Sequence, residues 1–111
     1  MSQINNKIFS MLGLATKSRN IVSGEFSTEK AIKEGKAFLV IVAEDASDNT
    51  KKMFRNSCEF YKVPYFVFAT KVELGHCMGK EFRASLALTD AGFAKTIIKH
   101  LENSIDWYGG S

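Results

Sequence analysis

The segment Ser23-Gly24-Glu25-Phe26-Ser27-Thr28-Glu29-Lys30 places a glycine and several hydroxyls where a short apolar pair, Ile21-Val22, gives way to a helical pattern. At the start of a helix the first backbone N–H groups have no partner and carry partial positive charge, which favours a phosphate or a base acceptor. Gly24 admits a ligand backbone to close range, Lys30 and Lys33 follow on the next turns, and Phe26 offers a ring on which a nucleobase can stack. A purely structural account fits the same residues: Ser23 or Ser27 caps the helix, Gly24 makes the turn and Phe26 packs inward as a staple. Both accounts stand at this level.

A second segment, Gly79-Lys80-Glu81-Phe82-Arg83, sets two cations around an aromatic residue. That composition serves RNA loops and single strands, although Phe82 could equally belong to the core and Lys80 to a solvated surface. Lys51, Lys52 and Arg55 read as the solvated face of a helix.

No comparable pattern points to catalysis. No Gly-x-Gly-x-x-Gly follows a strand pattern, and Ala15-Thr16-Lys17-Ser18 lacks the preceding glycine of a phosphate loop and ends a helix instead of beginning one. His76 and His100 fall on separate expected helices, and no Ser or Cys has a base and an orienting carboxylate near it in sequence. Adjacent residues on a helix point about 100° apart, so His76 and Cys77 do not converge on one ion. Cys58 sits on an apolar stripe, where a thiol behaves as a small hydrophobe. Neither a metal nor a cofactor is expected.

Elements must position these segments. Ile4, Ile8, Met11, Leu12 and Ala15 share one face of a helix ending near Lys17. Ile21-Val22 predicts a short strand, and a short helix then runs until Gly35. Ala37 to Ala43 has no polar interruption and predicts a central strand buried on both faces. Glu44 to Asn49 is rich in capping residues, and Thr50, Met53, Phe54, Ser57, Cys58 and Tyr61 predict a helix to about Lys62. Val63-Pro64 opens a second buried run, Tyr65 to Ala69, and Val72 to Gly79 reads as a short helix. Ala84 to Leu88 is a third apolar strand, and Thr89-Asp90 cap a last helix carrying Phe93, Ala94, Ile97, Ile98, Leu101 and Ile105. The alternation α-β-α-β-α-β-α-β-α predicts an α/β protein, a single-domain three-layer α-β-α sandwich over residues 1–105 with a mixed, roughly four-stranded sheet. Residues 106–111 are expected to be a fraying tail that contains Trp107-Tyr108.

At 111 residues and 45% apolar composition, the chain has room for one domain and enough hydrophobic side chain to build its core. The longest apolar run, Ala37 to Ala43, is far short of the roughly 20 residues of a membrane-spanning helix. Met1 to Lys7 lacks the pattern of a secretion signal, and two cysteines are too few for a disulfide framework, so a cytoplasmic protein without membrane contact is expected. Residues 1–36 hold Lys7, Lys17, Arg19, Lys30, Lys33 and Lys36 against Glu25, Glu29 and Glu34, an excess equal to the whole net charge of +3. That concentration suits a local phosphate-attracting patch or a solvated face.

Four stretches, taken in order, resemble a known family. They are Gly24 with Lys30-Ala31-Ile32-Lys33-Glu34-Gly35; Leu39-Val40-Ile41-Val42-Ala43-Glu44-Asp45-Ala46; Cys58 with Val63-Pro64; and Leu74-Gly75-His76-Cys77-Met78-Gly79. Together they resemble the kink-turn RNA-binding family of ribosomal proteins over nearly the whole chain. Glu44-Asp45-Ala46-Ser47, Asn49-Thr50 and Gly92-Phe93-Ala94-Lys95 are similar to its bacterial YlxQ-like branch. The resemblance implies a non-catalytic α-β-α sandwich that contacts RNA through the start of the second helix and the loop before the last strand. Carried over, Gly24 is the glycine at the contact, Lys30 the basic residue of the motif, and Lys80 to Ala84 the second contact loop. Family members that grip kink-turns carry an Asn-Glu pair two and three positions after that glycine, where this chain has Phe26 and Ser27. The resemblance therefore implies an RNA contact of a different or less selective kind.

The expectation is a non-catalytic RNA-binding protein, acting as a monomer on ribosomal or other structured RNA. Gly24, Glu25, Phe26 and Ser27 with Phe82 would form the contact, and Lys17, Arg19, Lys30, Lys33, Lys80 and Arg83 would meet phosphates. The alternative is a protein-interaction module on the same fold that has lost the RNA site, with Phe26 and Phe82 as apolar anchors on the ribosome or other proteins.

Overall fold

The uninterrupted run Leu39-Val40-Ile41-Val42 forms strand β2 with all four residues buried, and Ser85–Leu88 forms β4 in the same way. The two strands pair antiparallel with Leu39 opposite Leu88 and Val42 opposite Ser85, and they make the middle of the sheet. Ile21–Ser23 (β1) joins β4 antiparallel and Tyr65–Val67 (β3) joins β2 parallel, giving the order β1-β4-β2-β3. This computed structural model describes residues 3–109, and side chains from Asn5 to Asn103. Ile4, Ile105, Trp107 and Tyr108, which the sequence placed on apolar faces or in a tail, have side chains outside the described ones.

Five helices cover both faces. Glu25–Lys33 (α2) and Asp48–Tyr61 (α3) pack on each other, α2 against β1 and β4 and α3 against β2 and β3. Gln3–Lys17 (α1) packs against Lys71–Cys77 (α4) and Ala91–Gly109 (α5) on the opposite layer. Leu12 and Ile8 of α1, Phe54 of α3 and Ile97 of α5 are fully buried in the core around β2 and β4. The result is the expected three-layer sandwich with a mixed four-stranded sheet. No helix among the described residues is long and apolar enough to cross a membrane.

Two elements depart from the sequence reading. The run Tyr65 to Ala69 is not a buried strand: β3 is three residues long, lies at a sheet edge, and leaves Val67 exposed. Its last two apolar residues, Phe68 and Ala69, are buried in the turn beyond it, where Ala69 takes a left-handed backbone with φ 64°. At the other end, α5 continues past Ile105 to Gly109, since the chain offers no helix breaker between Ala91-Gly92 and Gly109.

Strand polarity sorts the loops. Strands β1, β2 and β3 run the same way and β4 runs against them. One pole of the sheet therefore gathers the starts of α2, α3 and α4 together with the loop that leads into β4. Hydrogen bonds fasten this pole: Gly24 N–H to the Ser85 carbonyl, Ala43 N–H to that of Ala84, and Glu44 N–H to that of Ala69.

Candidate nucleic-acid interface

Gly24 is the N-cap of α2 with φ 93°, a left-handed conformation that a side chain rarely adopts, although a Cβ there would meet open space. No side chain caps the helix. Neither serine plays the capping role that the sequence allowed: the Ser23 hydroxyl accepts from Arg83 Nε at 2.9 Å, and Ser27 makes no cap bond. The first N–H groups of α2 therefore have no side-chain partner, which suits them to an anion or a base acceptor. What holds the turn is Thr28, fully buried, whose hydroxyl accepts from Ser85 Oγ at 3.4 Å and ties α2 to β4.

Phe26, next to that N-terminus, is 79% exposed and is no staple into the core. Lys30 lies one turn further along the exposed face and makes no ion pair among the described residues. Lys33 does, with Glu29 at 3.8 Å, and Glu29 is also held by the Ser57 hydroxyl at 2.9 Å. The same face forms a shallow open depression lined by Glu25, Phe26, Glu29, Lys30, Lys33 and Glu34.

The second segment comes to this pole because of α4. Lys80 N–H donates to the Gly75 carbonyl and Arg83 N–H to that of Lys71, folding the loop back along the helix. The approach is so close that a Cβ on Gly75 would stand 2.4 Å from Phe82 Cα. The Phe82 ring points away from the core and is 56% exposed. Arg83 is half-buried, with Nε on Ser23 and Nη1 on the Phe82 carbonyl at 2.8 Å, so it clamps the loop to β1 and keeps its remaining donors for a ligand.

The structure thus brings Gly24, Glu25, Phe26, Ser27 and Lys30 together with Phe82 and Arg83, with Lys80 at the start of the same loop and Lys33 further along α2. It does not bring Lys17 and Arg19 there. Asn20, just after them, accepts from Thr89 N–H at the opposite end of β1 and β4, so the length of the sheet separates them from Gly24. Three features of the pole escaped the sequence reading. Thr70 and Glu73 form a reciprocal capping box on α4, and Asp45 accepts from Lys71 N–H at 2.8 Å; the Thr-x-x-Glu spacing was a readable signal for the first. Gly75 had no such signal, because its need arises only when the loop packs on it.

Burial raises the Cys58 thiol to about 12, with the Glu29 carboxylate adding to the effect, and raises Cys77 to about 11. Both thiols are protonated near neutral pH, which makes them poor nucleophiles and poor metal ligands. Cys77 Sγ donates to the Leu74 carbonyl at 3.1 Å instead of turning toward His76. No group of His, Cys, Asp and Glu among the described residues is arranged to hold a metal ion.

Residues 6–98 match the family described as "Ribosomal protein L7Ae/L30e/S12e/Gadd45 family". The chain is 45% identical over 94 residues to the RNA-binding protein YlxQ of Bacillus subtilis, covering 85% of this chain and 94% of that one. It is 37% identical over 87 residues to the large ribosomal subunit protein eL30 of Neurospora crassa, covering 73% of this chain and 76% of that one. Among solved structures, a protein of unknown function from Bacillus halodurans superposes with a TM-score of 0.85 at 34% identity, over 86% of this chain and 97% of that one.

Proposed function

The chain belongs to the L7Ae/L30e/S12e/Gadd45 family of ribosomal proteins, and from that premise we propose that it is a non-catalytic RNA-binding protein whose contact is the pole around Gly24. The observation that carries the assignment is the convergence at one place of an uncapped helix N-terminus, an exposed ring at Phe26 and the cation Lys30, which makes no ion pair among the described residues. N–H groups and Lys30 suit phosphates or base acceptors, while Phe26 and Phe82 suit the faces of unstacked bases. A plain duplex hides those faces, so the target is structured RNA with a bend or an unpaired base. Ribosomal RNA fits that description, as do kink-turn elements.

Phe26 and Ser27 supply few groups for reading base edges. Phe26 has no donor or acceptor, and the Ser27 hydroxyl is short and half-buried. Selectivity therefore comes from RNA shape and base exposure more than from hydrogen bonds to particular bases.

The test is titration into a kink-turn RNA and into a plain duplex of equal length, at two salt concentrations. Tighter binding to the kink-turn, weakened by salt at both RNAs, is expected. Failure to bind either RNA at low salt overturns the assignment and favours the protein-interaction alternative anchored by Phe26 and Phe82.

A further inference from the structure

We propose that the pole of the sheet opposite Gly24 is a second RNA surface, one that meets phosphates without reading bases, so that a single protein holds two RNA segments at once. The proposal rests on RNA binding at the first pole. Three hydrogen bonds define the second: Thr89 N–H to the Asn20 carbonyl, Phe38 N–H to that of Leu88, and Val40 N–H to that of Pro64. They bring together the junctions α1–β1, α2–β2, α3–β3 and β4–α5, which carry the exposed cations Lys17, Arg19, Lys36 and Lys62.

Charge distinguishes the two poles. Of the carboxylates at the second pole, Glu34 is paired with Lys36 at 3.3 Å and Asp90 accepts from Phe93 N–H as the cap of α5, which leaves the exposed Glu59 on the last turn of α3 against Lys17, Arg19 and Lys62. Lys17, Arg19 and Lys62 make no ion pair among the described residues. The first pole carries Glu25, Glu44, Asp45, Asp48, Glu73 and Glu81 against Lys30, Lys71, Lys80 and Arg83. The positive end of the molecule is therefore the second pole, and four strands spaced about 4.8 Å apart spread its cations over about 14 Å. That is broad enough to meet more than one phosphate.

Two further observations bear on how this surface is built. Arg19 and Lys62 both hold left-handed backbones, φ 61° and 60°, just past the ends of α1 and α3. Glycine occupies such positions at lower cost, yet the chain keeps a cation at each. Beside Lys62, the Phe60 and Tyr61 rings meet edge-on with centroids 4.9 Å apart, and Phe60 is 78% exposed. A duplex offers these rings no base face, so they add apolar surface beside cations that make no ion pair among the described residues, and the cations carry the contact. A cation at a helix C-terminus also offsets the helix dipole, and that role makes a different prediction.

The decisive protein is the double variant Arg19→Gly with Lys62→Gly, which removes both charges while relaxing both backbones. Plain-duplex binding is followed by anisotropy across a salt series, and bridging by energy transfer between a donor-labelled kink-turn RNA and an acceptor-labelled plain duplex. The expected result is wild-type bridging that the double variant loses, together with a decrease of about 1.4–1.8 in the log-log salt slope and a melting temperature no lower than wild type. RNA binding with unchanged slope and unchanged bridging overturns the second surface and leaves the first standing. A lower melting temperature with an unchanged slope assigns the cations to the helix dipoles and also overturns it. Absence of wild-type binding to duplex and kink-turn RNA alike overturns both surfaces.

Discussion

An exposed phenylalanine ring at the start of a helix does little for stability, since almost none of its surface is removed from water. Phe26 is such a ring, and its 79% exposure separates function from folding at a single residue. Phe26→Ala is expected to leave the unfolding free energy within about 0.5 kcal/mol of wild type. It should weaken RNA binding by about 1–3 kcal/mol, the range for one stacked base. Urea denaturation and RNA titration on the same variant check both halves. Lys30 acts through charge alone. Lys30→Ala should lower the log-log salt slope of RNA binding by about one unit if it neutralises one phosphate, with the melting temperature unchanged. An unaltered slope removes Lys30 from the interface.

The short helix α4 works as a platform for the contact loop. Two devices fix it, the Thr70–Glu73 capping box and the bare surface at Gly75 against which the Phe82 backbone rests. Gly75→Ala forces a Cβ to 2.4 Å from Phe82 Cα, and the neighbour is backbone, which cannot rotate away. Overpacking of this kind costs about 1–3 kcal/mol. The loop should move off the helix and carry Arg83 from Ser23, so RNA affinity falls along with stability in denaturation and titration. Thr70→Ala removes the cap at a cost of about 1 kcal/mol. Because Phe82 and Arg83 keep their backbone contacts, its effect on RNA binding should be smaller than that of Gly75→Ala at comparable loss of stability.

At the scale of the molecule, the two buried thiols couple folding to pH. Burial holds Cys58 at about 12 and Cys77 at about 11 against an ordinary 9.0, so the folded protein keeps protons that the unfolded chain gives up. Their contribution to stability is fully present below about pH 9 and is lost as pH rises toward 11 and 12. Denaturation midpoints from pH 8 to 11 should fall progressively, and Cys58→Ala with Cys77→Ala should flatten that decline even though it lowers the plateau. The whole-molecule view also sets the charge layout. A net charge of +3 says little by itself, but the sheet divides it into an acid-rich pole at the start of α2 and an opposite pole where Lys17, Arg19 and Lys62 make no ion pair among the described residues.

The order of elements, the buried strands β2 and β4, and the helical faces of α1, α3 and α5 were legible in the chain. Periodicity of apolar residues is a local property, fixed by neighbours two to four positions apart. Gly24 and the two segments at its pole could be singled out for the same reason. Other features depended on residues distant in sequence. Arg83 meets Ser23 across 60 positions, Gly75 matters only because a later loop folds onto it, and β3 is an edge because of the pairing order of the sheet. Whether Phe26 faced the core or the solvent also depended on packing, since a ring after a glycine fits either place. Lys17 and Arg19 show the limit most plainly. They are close to Gly24 along the chain, yet β1 carries the backbone the length of the sheet between them, and only the tertiary fold decides which cations share a pole.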